Sequence, residues 1–173
     1  MEKKVAQTNR NEVAQNSEDL RLRIQNFINN LNKHDPKDGV DKTADGRAKT
    51  IGISHIEMTL DEYFLGLWET ENFRWSVISN EVVGSIDLVV THPVTGQKYK
   101  RVGAASIIIM VDKGASALDV SKKKANALDL GFPKLKAECT KNAAQSLGKL
   151  FGRDLNRGSK ADTFNPKIKE TVN

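Results

Sequence analysis

The chain has 173 residues, 38% hydrophobic and 28% charged, with a net charge of +5, which allows one core with tails and argues against a second independent domain. No apolar run approaches the roughly 18–20 residues a membrane helix requires, and "MEKKVAQTNRNEVAQN" lacks the apolar stretch of a secretory signal. A reducing, cytoplasmic setting away from membranes is therefore expected.

Residues 1–16 are rich in Asn and Gln and poor in apolar groups, which predicts a flexible tail. Next, "SEDLRLRIQNFINNLNK" places Leu20, Ile24, Phe27, Ile28 and Leu31 at helical spacing behind a Ser17 cap, an amphipathic helix with a packing role. "HDPKDGVDKTADGRAK" gathers Pro36, Gly39, Gly46 and several Asp, so residues 17–48 are read as helix plus linker. A core domain over residues 49–160 follows. In "TLDEYFLGLW", Thr59 and Glu62 have the spacing of a capping box, and Leu60, Tyr63, Phe64, Leu67 and Trp68 form the apolar face of a short helix.

"FRWSVIS" alternates Phe73, Trp75 and Val77 inward, and "VVGSIDLVV" alternates Val82, Ile86, Leu88 and Val90, as half-buried strands do. Pro93 and Gly96 mark a turn, after which "KYKRVGAASIIIMV" reads as a third strand, polar at first and apolar by Ile107 to Val111. Short turns between neighbours make an antiparallel meander. "VSKKKANALDL" starts a helix capped by Asp119 or Ser121, "LGFP" interrupts it at Pro133, and a last helix over residues 135–157 buries Leu135, Cys139, Ala143, Leu147 and Leu150 or Phe151. Ala144 and Gly148 leave room for another backbone to approach. Residues 161–173 form a C-terminal tail. The fold class is α+β, a three-stranded antiparallel meander packed with helices.

The chemistry that is missing narrows the function. Cys139 cannot form an internal disulfide and reads as a buried thiol, while His34, His55 and His92 lack metal-ligand spacing. No phosphate-cradling GxxxxGK[ST] loop occurs, Asp87 stands alone on its strand, and no nucleophile has a base at suggestive spacing. Neither catalysis, nor a metal, nor another cofactor is expected.

Charge is polarised along the chain. Residues 51–96 hold seven acids against Arg74 alone, a net of −6, whereas residues 97–160 hold fourteen Lys or Arg against five acids, a net of +9. Such asymmetry predicts a polyanionic partner for the basic half and complementary contact between copies of the chain. Three basic groups stand out: Lys98, Lys100 and Arg101 on the third strand, the consecutive Lys122, Lys123 and Lys124, and Lys134, Lys141, Lys149 and Arg153 along the last helix, with Gln145 among them. Nucleic acid is the natural polyanion for these groups. Only Tyr99 among the aromatics lies in the basic strand, so the chain is expected to hold a backbone and leave the bases free to pair.

"AECTKNAAQSLGKLFGRDLNR", preceded by this meander and by "LDEYFLGLW" and "FRW", resembles the single-strand annealing proteins of the Rad-fifty-two superfamily, those of phages in particular, over about residues 50–158. The resemblance implies a β-β-β-α core assembled into homo-oligomeric rings or arcs. It further implies ATP-independent binding and annealing of single-stranded DNA in homologous recombination and repair, inside the bacterial host if the protein is phage-encoded, with a phage or host exonuclease or single-strand-binding protein as a further partner. DNA would run in a basic groove between hairpin and last helix. Lys141 matches the Lys of the family's Lys-Arg pair, but Asn142 and Gln145 stand where the family has Arg. By position, Lys122 with Lys123 and Lys124 resembles a second contact region. Two alternatives remain open at this stage: a double-stranded RNA-binding domain, which shares the order helix, three strands, helix, and a small metal-dependent nuclease.

Overall fold

A computed structural model of the chain describes residues 2–43, 46–116 and 118–157, with side chains from residue 15 onward. Residues 158–160 of the expected core and the tail at 161–173 lie outside the described residues. Helix α1 spans Glu2–Leu31 and so takes in the segment read as a tail, beginning well before Ser17. The Ala, Glu, Gln, Lys and Arg of that segment are good helix formers even without an apolar stripe. Among its described side chains the last turns meet the core: Leu31 is buried, Phe27 is half-buried with its ring edge-on to Phe64 at 5.6 Å, and Leu20, Leu22 and Ile28 are exposed.

The segment read as a linker contains a hairpin. Strand β1 (Val40–Lys42) pairs antiparallel with β2 (Lys49–Ile51), Val40 opposite Ile51. Thr43 closes it, its N–H donating to Ala48 O (2.8 Å) while its Oγ1 accepts from Ala48 N–H (3.1 Å). Three-residue strands carrying Asp and Lys show too little apolar alternation to register as strands. Helix α2 (Ile53–Phe64) follows directly, with Gly52 at its N-cap. Thr59 therefore sits mid-helix, its hydroxyl donating to His55 O (2.7 Å), and the predicted capping box is not used. Ile56, Leu60 and Phe64 are buried. Leu65 ends the helix in the left-handed region, so Leu67 is exposed beyond it and Trp68 opens the next strand, its indole N–H donating to Asp61 Oδ1 (2.7 Å).

Strands β3 (Trp68–Ile78), β4 (Glu81–Thr91) and β5 (Lys98–Ile108) form the expected antiparallel meander. The stretch "ETEN" belongs to β3, with a register shift between Glu71 and Arg74. Val82, Ile86, Leu88 and Val90 point to the helix-covered face, and all four are buried. On β3 that cover is thinner: Phe73 is half-buried, and Trp75 and Val77 are about half exposed. Helix α3 (Ala127–Gln145) crosses this face. Its spacing works as read, with Leu135, Cys139, Ala143 and Ala144 fully buried. Burial pushes the Cys139 thiol up, away from reactivity.

Two expected breaks in this region fall elsewhere. Asp119 caps only a short 3₁₀ turn, Val120–Lys122, and α3 then runs unbroken through Pro133. Proline forfeits one helical hydrogen bond, but its neighbours offset that loss: Phe132 packs edge-on to Trp75 at 4.7 Å, and Gly131 lies against Ile107. At its other end the helix stops at Gln145 instead of continuing to residue 157, giving way to a 3₁₀ turn over Lys149–Phe151 that still buries Leu150 and Phe151. Gly148 permits the close backbone approach expected of it, since a Cβ there would lie 2.4 Å from Leu31 O. This contact seats the end of α1 on the core.

His92 opens the turn between β4 and β5, and its Nδ1 accepts from the N–H groups of Val94 (3.2 Å) and Thr95 (3.4 Å). Its ring lies 4.7 Å from Phe27 and 6.4 Å from Tyr99. Burial lowers its pKa below the ordinary 6.5. A histidine held neutral in the fold contributes stability at pH above that ordinary value, and this is lost as pH falls through the lowered one. Thermal melting from about pH 7 to about pH 5 should therefore show a decline that His92→Asn, which keeps an acceptor and cannot titrate, makes shallower. An equal decline in both proteins would assign it to other groups.

Candidate nucleic-acid interface

The β1–β2 hairpin stands beside α3 because three contacts fix it there. Ile51 is buried in the core, Asn156 pairs with both backbone groups of Lys49 (2.8 Å each), and Lys141 Nζ on α3 donates to Thr50 Oγ1 (3.0 Å). Between the hairpin, the end of β5 and α3 lies a groove of about 750 Å³. Lys42 lines it from the hairpin, and Lys134, Glu138 and Lys141 line it from α3. These lysines are the cations and Glu138 the carboxylate of its wall among the described residues. Leu130, Ile108 and Met110 give it an aliphatic side, and among the described residues no aromatic ring lines it.

Lys141 is the most enclosed of these groups, its side chain 12% exposed, and it pairs with Glu138 Oε1 at 2.8 Å. The positions where the resembling family has Arg behave differently. Asn142 Nδ2 donates to Ala104 O (2.8 Å), pinning α3 to β5, and Gln145 is exposed at the helix end. Lys134 is exposed and has no ion pair with any described residue.

The remaining basic residues divide by place. Lys123 forms a bridge with Val111, Asp112 N–H donates to Lys122 O, and Lys124 N–H donates to Met110 O, so Lys122, Lys123 and Lys124 sit beside the Met110 end of the groove. The strand residues do not join them. Lys98 and Lys100 project from the face of the sheet opposite α3, where Lys98 pairs with Glu69 (3.0 Å) and Lys100 with Asp87 (2.9 Å) and Glu71 (3.6 Å). Hydrogen bonds from Asn72 and then Lys100 hold the Asp87 carboxyl below its usual range, and the bond to Asp87 pushes the Lys100 ammonium up. Part of the charge complementarity read as intermolecular is thus used inside one subunit. Arg101 lies on the other side of β5 and stacks on Tyr99, 5.1 Å from the ring centre.

Arg153 is turned toward the end of α1, which Lys149 touches only through its backbone N–H, donating to Asn32 Oδ1 (3.3 Å). Arg153 donates to Ser146 O (2.7 Å) and Asn32 Oδ1 (3.1 Å), capping α3, and Lys149 pairs with Asp154 at 3.7 Å. Their positive charge therefore serves the helix end and its neighbours. Lys42, Thr50 and Glu138 were missed by sequence reasoning. The Asp45-Gly46 dipeptide between "VDKT" and "RAKTI" is the hairpin signal that would have placed Lys42 and Thr50 on paired strands. For Glu138 there was the three-residue spacing to Lys141.

Comparison with protein-family models and with curated proteins finds no match for this chain. Among the described residues no cluster of three His, Cys, Asp or Glu has the arrangement to hold a metal ion, and no helix is long and apolar enough to cross a membrane.

Proposed function

We propose that this chain binds single-stranded DNA by its backbone in the groove between the β1–β2 hairpin and α3, and promotes pairing of complementary strands without nucleotide hydrolysis. The observation that carries this reading is the convergence of Lys42, Lys134 and Lys141 on one groove, with the backbone of Lys122 to Lys124 running past its Met110 end. Ammonium groups along a groove neutralise successive phosphates. With aliphatic side chains and no rings among the described residues of the wall, the groove offers no stacking platform there, and the pairing edges of the bases are left available. Two strands repel through their phosphates, so covering one lowers the barrier to encounter, and pairing itself releases about 1.4 kcal/mol per base step.

We also propose that the chain acts as a homo-oligomer, in a ring or arc that carries the groove from one subunit to the next through heterologous contacts. Exposed apolar side chains away from the groove support this: Leu20 and Leu22 on α1, and Ile78 and Val102 on the sheet. The test is an annealing assay with labelled complementary oligonucleotides, free of ATP and metal, alongside sizing of the particles. Accelerated pairing by an assembly larger than one chain is the expected result. Failure to accelerate pairing sinks the reading, a preference for duplex RNA would install an RNA-binding role in its place, and strand degradation on adding Mg²⁺ or Mn²⁺ would show a nuclease.

A further inference from the structure

Resting on the DNA reading of this groove, we infer that Glu138 is a built-in competitor for the phosphate site, an anion that Lys141 must give up when a strand binds. Its carboxylate occupies the place of a phosphate oxygen: Oε1 lies 2.8 Å from Lys141 Nζ, as close as in Lys100–Asp87 (2.9 Å) and closer than in the exposed pair Lys98–Glu69 (3.0 Å). The ammonium it holds is the most enclosed of the groove's cations, and Thr50 Oγ1 takes a second of its three protons. Glu138 is itself 36% exposed at the side chain, so it is free to swing outward.

One turn of helix separates it from Lys134 on one side and Lys141 on the other, so an incoming phosphate meets both lysines with this carboxylate between them. The phosphate must displace Glu138 from Lys141 or bind beside it against like-charge repulsion. Either route weakens binding. In the free protein the same pair keeps the Lys141 ammonium from standing unpaired at 12% exposure. A strand-annealing protein has use for such a residue, because the product duplex must be released and an over-tight grip on one strand slows that release. Glu138 would then trade affinity for turnover.

The experiment measures anisotropy of a labelled oligothymidylate of about 20 nucleotides with the full chain, comparing wild type, Glu138→Gln, Glu62→Gln and Lys134→Gln. Glu138→Gln keeps an oxygen for Lys141 to donate to, and Glu62→Gln makes the same charge change on the exposed surface of α2, away from the groove. Glu138→Gln is expected to bind about ten-fold tighter at low salt, an advantage that narrows as salt rises, while Glu62→Gln stays near wild type. In annealing with DNA in excess over protein, Glu138→Gln should form duplex more slowly per subunit. Equal tightening by both glutamate variants would reduce the effect to net charge and overturn the inference. Unchanged or weaker binding by Glu138→Gln would overturn it too, and Lys134→Gln then tells which idea failed. If Lys134→Gln weakens binding, the groove still holds DNA and only the competition falls away; if it does not, the DNA reading of the groove goes as well. Melting temperatures within about 3 °C of wild type establish that the variants are folded.

Discussion

Gly103→Ala should cost the domain about 3 kcal/mol or more, lowering its melting temperature by roughly 6–12 °C. A Cβ at this position of β5 would lie 2.0 Å from Cys139 O and 2.5 Å from Ala143 N, both backbone atoms of α3. Side-chain ends can rotate away from a new methyl group, but a helix backbone yields only by moving as a body. Lifting α3 from β5 would expose Cys139, Leu135 and Ala143, fully buried residues that link the helix to both parts of the core. Gly131→Ala is the matched control. Its Cβ would meet only the terminal Ile107 Cδ1, at 3.0 Å, and alanine is favoured over glycine inside a helix by about 1 kcal/mol, so stability should hold or rise. The two melting curves should move in opposite directions or differ by several degrees. A Gly103→Ala protein that melts with the wild type would mean that α3 does not rest on β5 as closely as this.

The meander and the buried face of α3 were legible in the sequence because both rest on apolar periodicity. Val82, Ile86, Leu88 and Val90 alternate, Leu135, Cys139 and Ala143 recur every four residues, and burial follows in each case. The β1–β2 hairpin lacks that periodicity, so its sequence sign is the Asp45-Gly46 dipeptide alone: its strands are three residues long, one residue of the six, Ile51, is buried, and Thr43 and Asn156 hold it by hydrogen bonds. Helix ends were misplaced where tertiary contacts decide them. Pro133 stays within α3 because Phe132 and Gly131 have partners on the sheet, and α3 stops at Gln145 because Gly148 must pass the end of α1.

The site divides along the same line. A count of lysines found the basic half of the chain, but only the fold separates Lys134 and Lys141, which face a groove, from Lys98 and Lys100, which answer acids on β3 and β4, and from Arg153, which caps a helix. Charge runs do not state direction. Lys42 had to come from a pair of strands whose two apolar residues, Val40 and Ile51, make no periodic pattern.

Lys141→Glu should weaken binding of single-stranded DNA by about 10- to 100-fold at low salt, and flatten the plot of log affinity against log salt by about 0.7 for each phosphate that is no longer neutralised. The effect should exceed that of Lys134→Gln because two changes act together: an ammonium is removed, and a second carboxylate is set beside Glu138 in a groove where Lys42 and Lys134 are the remaining cations. Like charges at that spacing also strain the fold, since Lys141 joins α3 to the hairpin through Thr50. Lys141→Gln separates the two consequences. It retains a donor for Thr50 and Glu138 and removes only the charge, so its melting temperature should stay close to wild type while affinity still falls, by less than with Glu. Duplex formation should slow in the same order, wild type, Lys141→Gln, Lys141→Glu, if the groove is where the strand is held. Folded variants that bind and pair strands as the wild type does would move the DNA path away from α3. They would leave the open face of the sheet, where Lys98 and Lys100 are already neutralised by Glu69, Glu71 and Asp87, as a poor substitute.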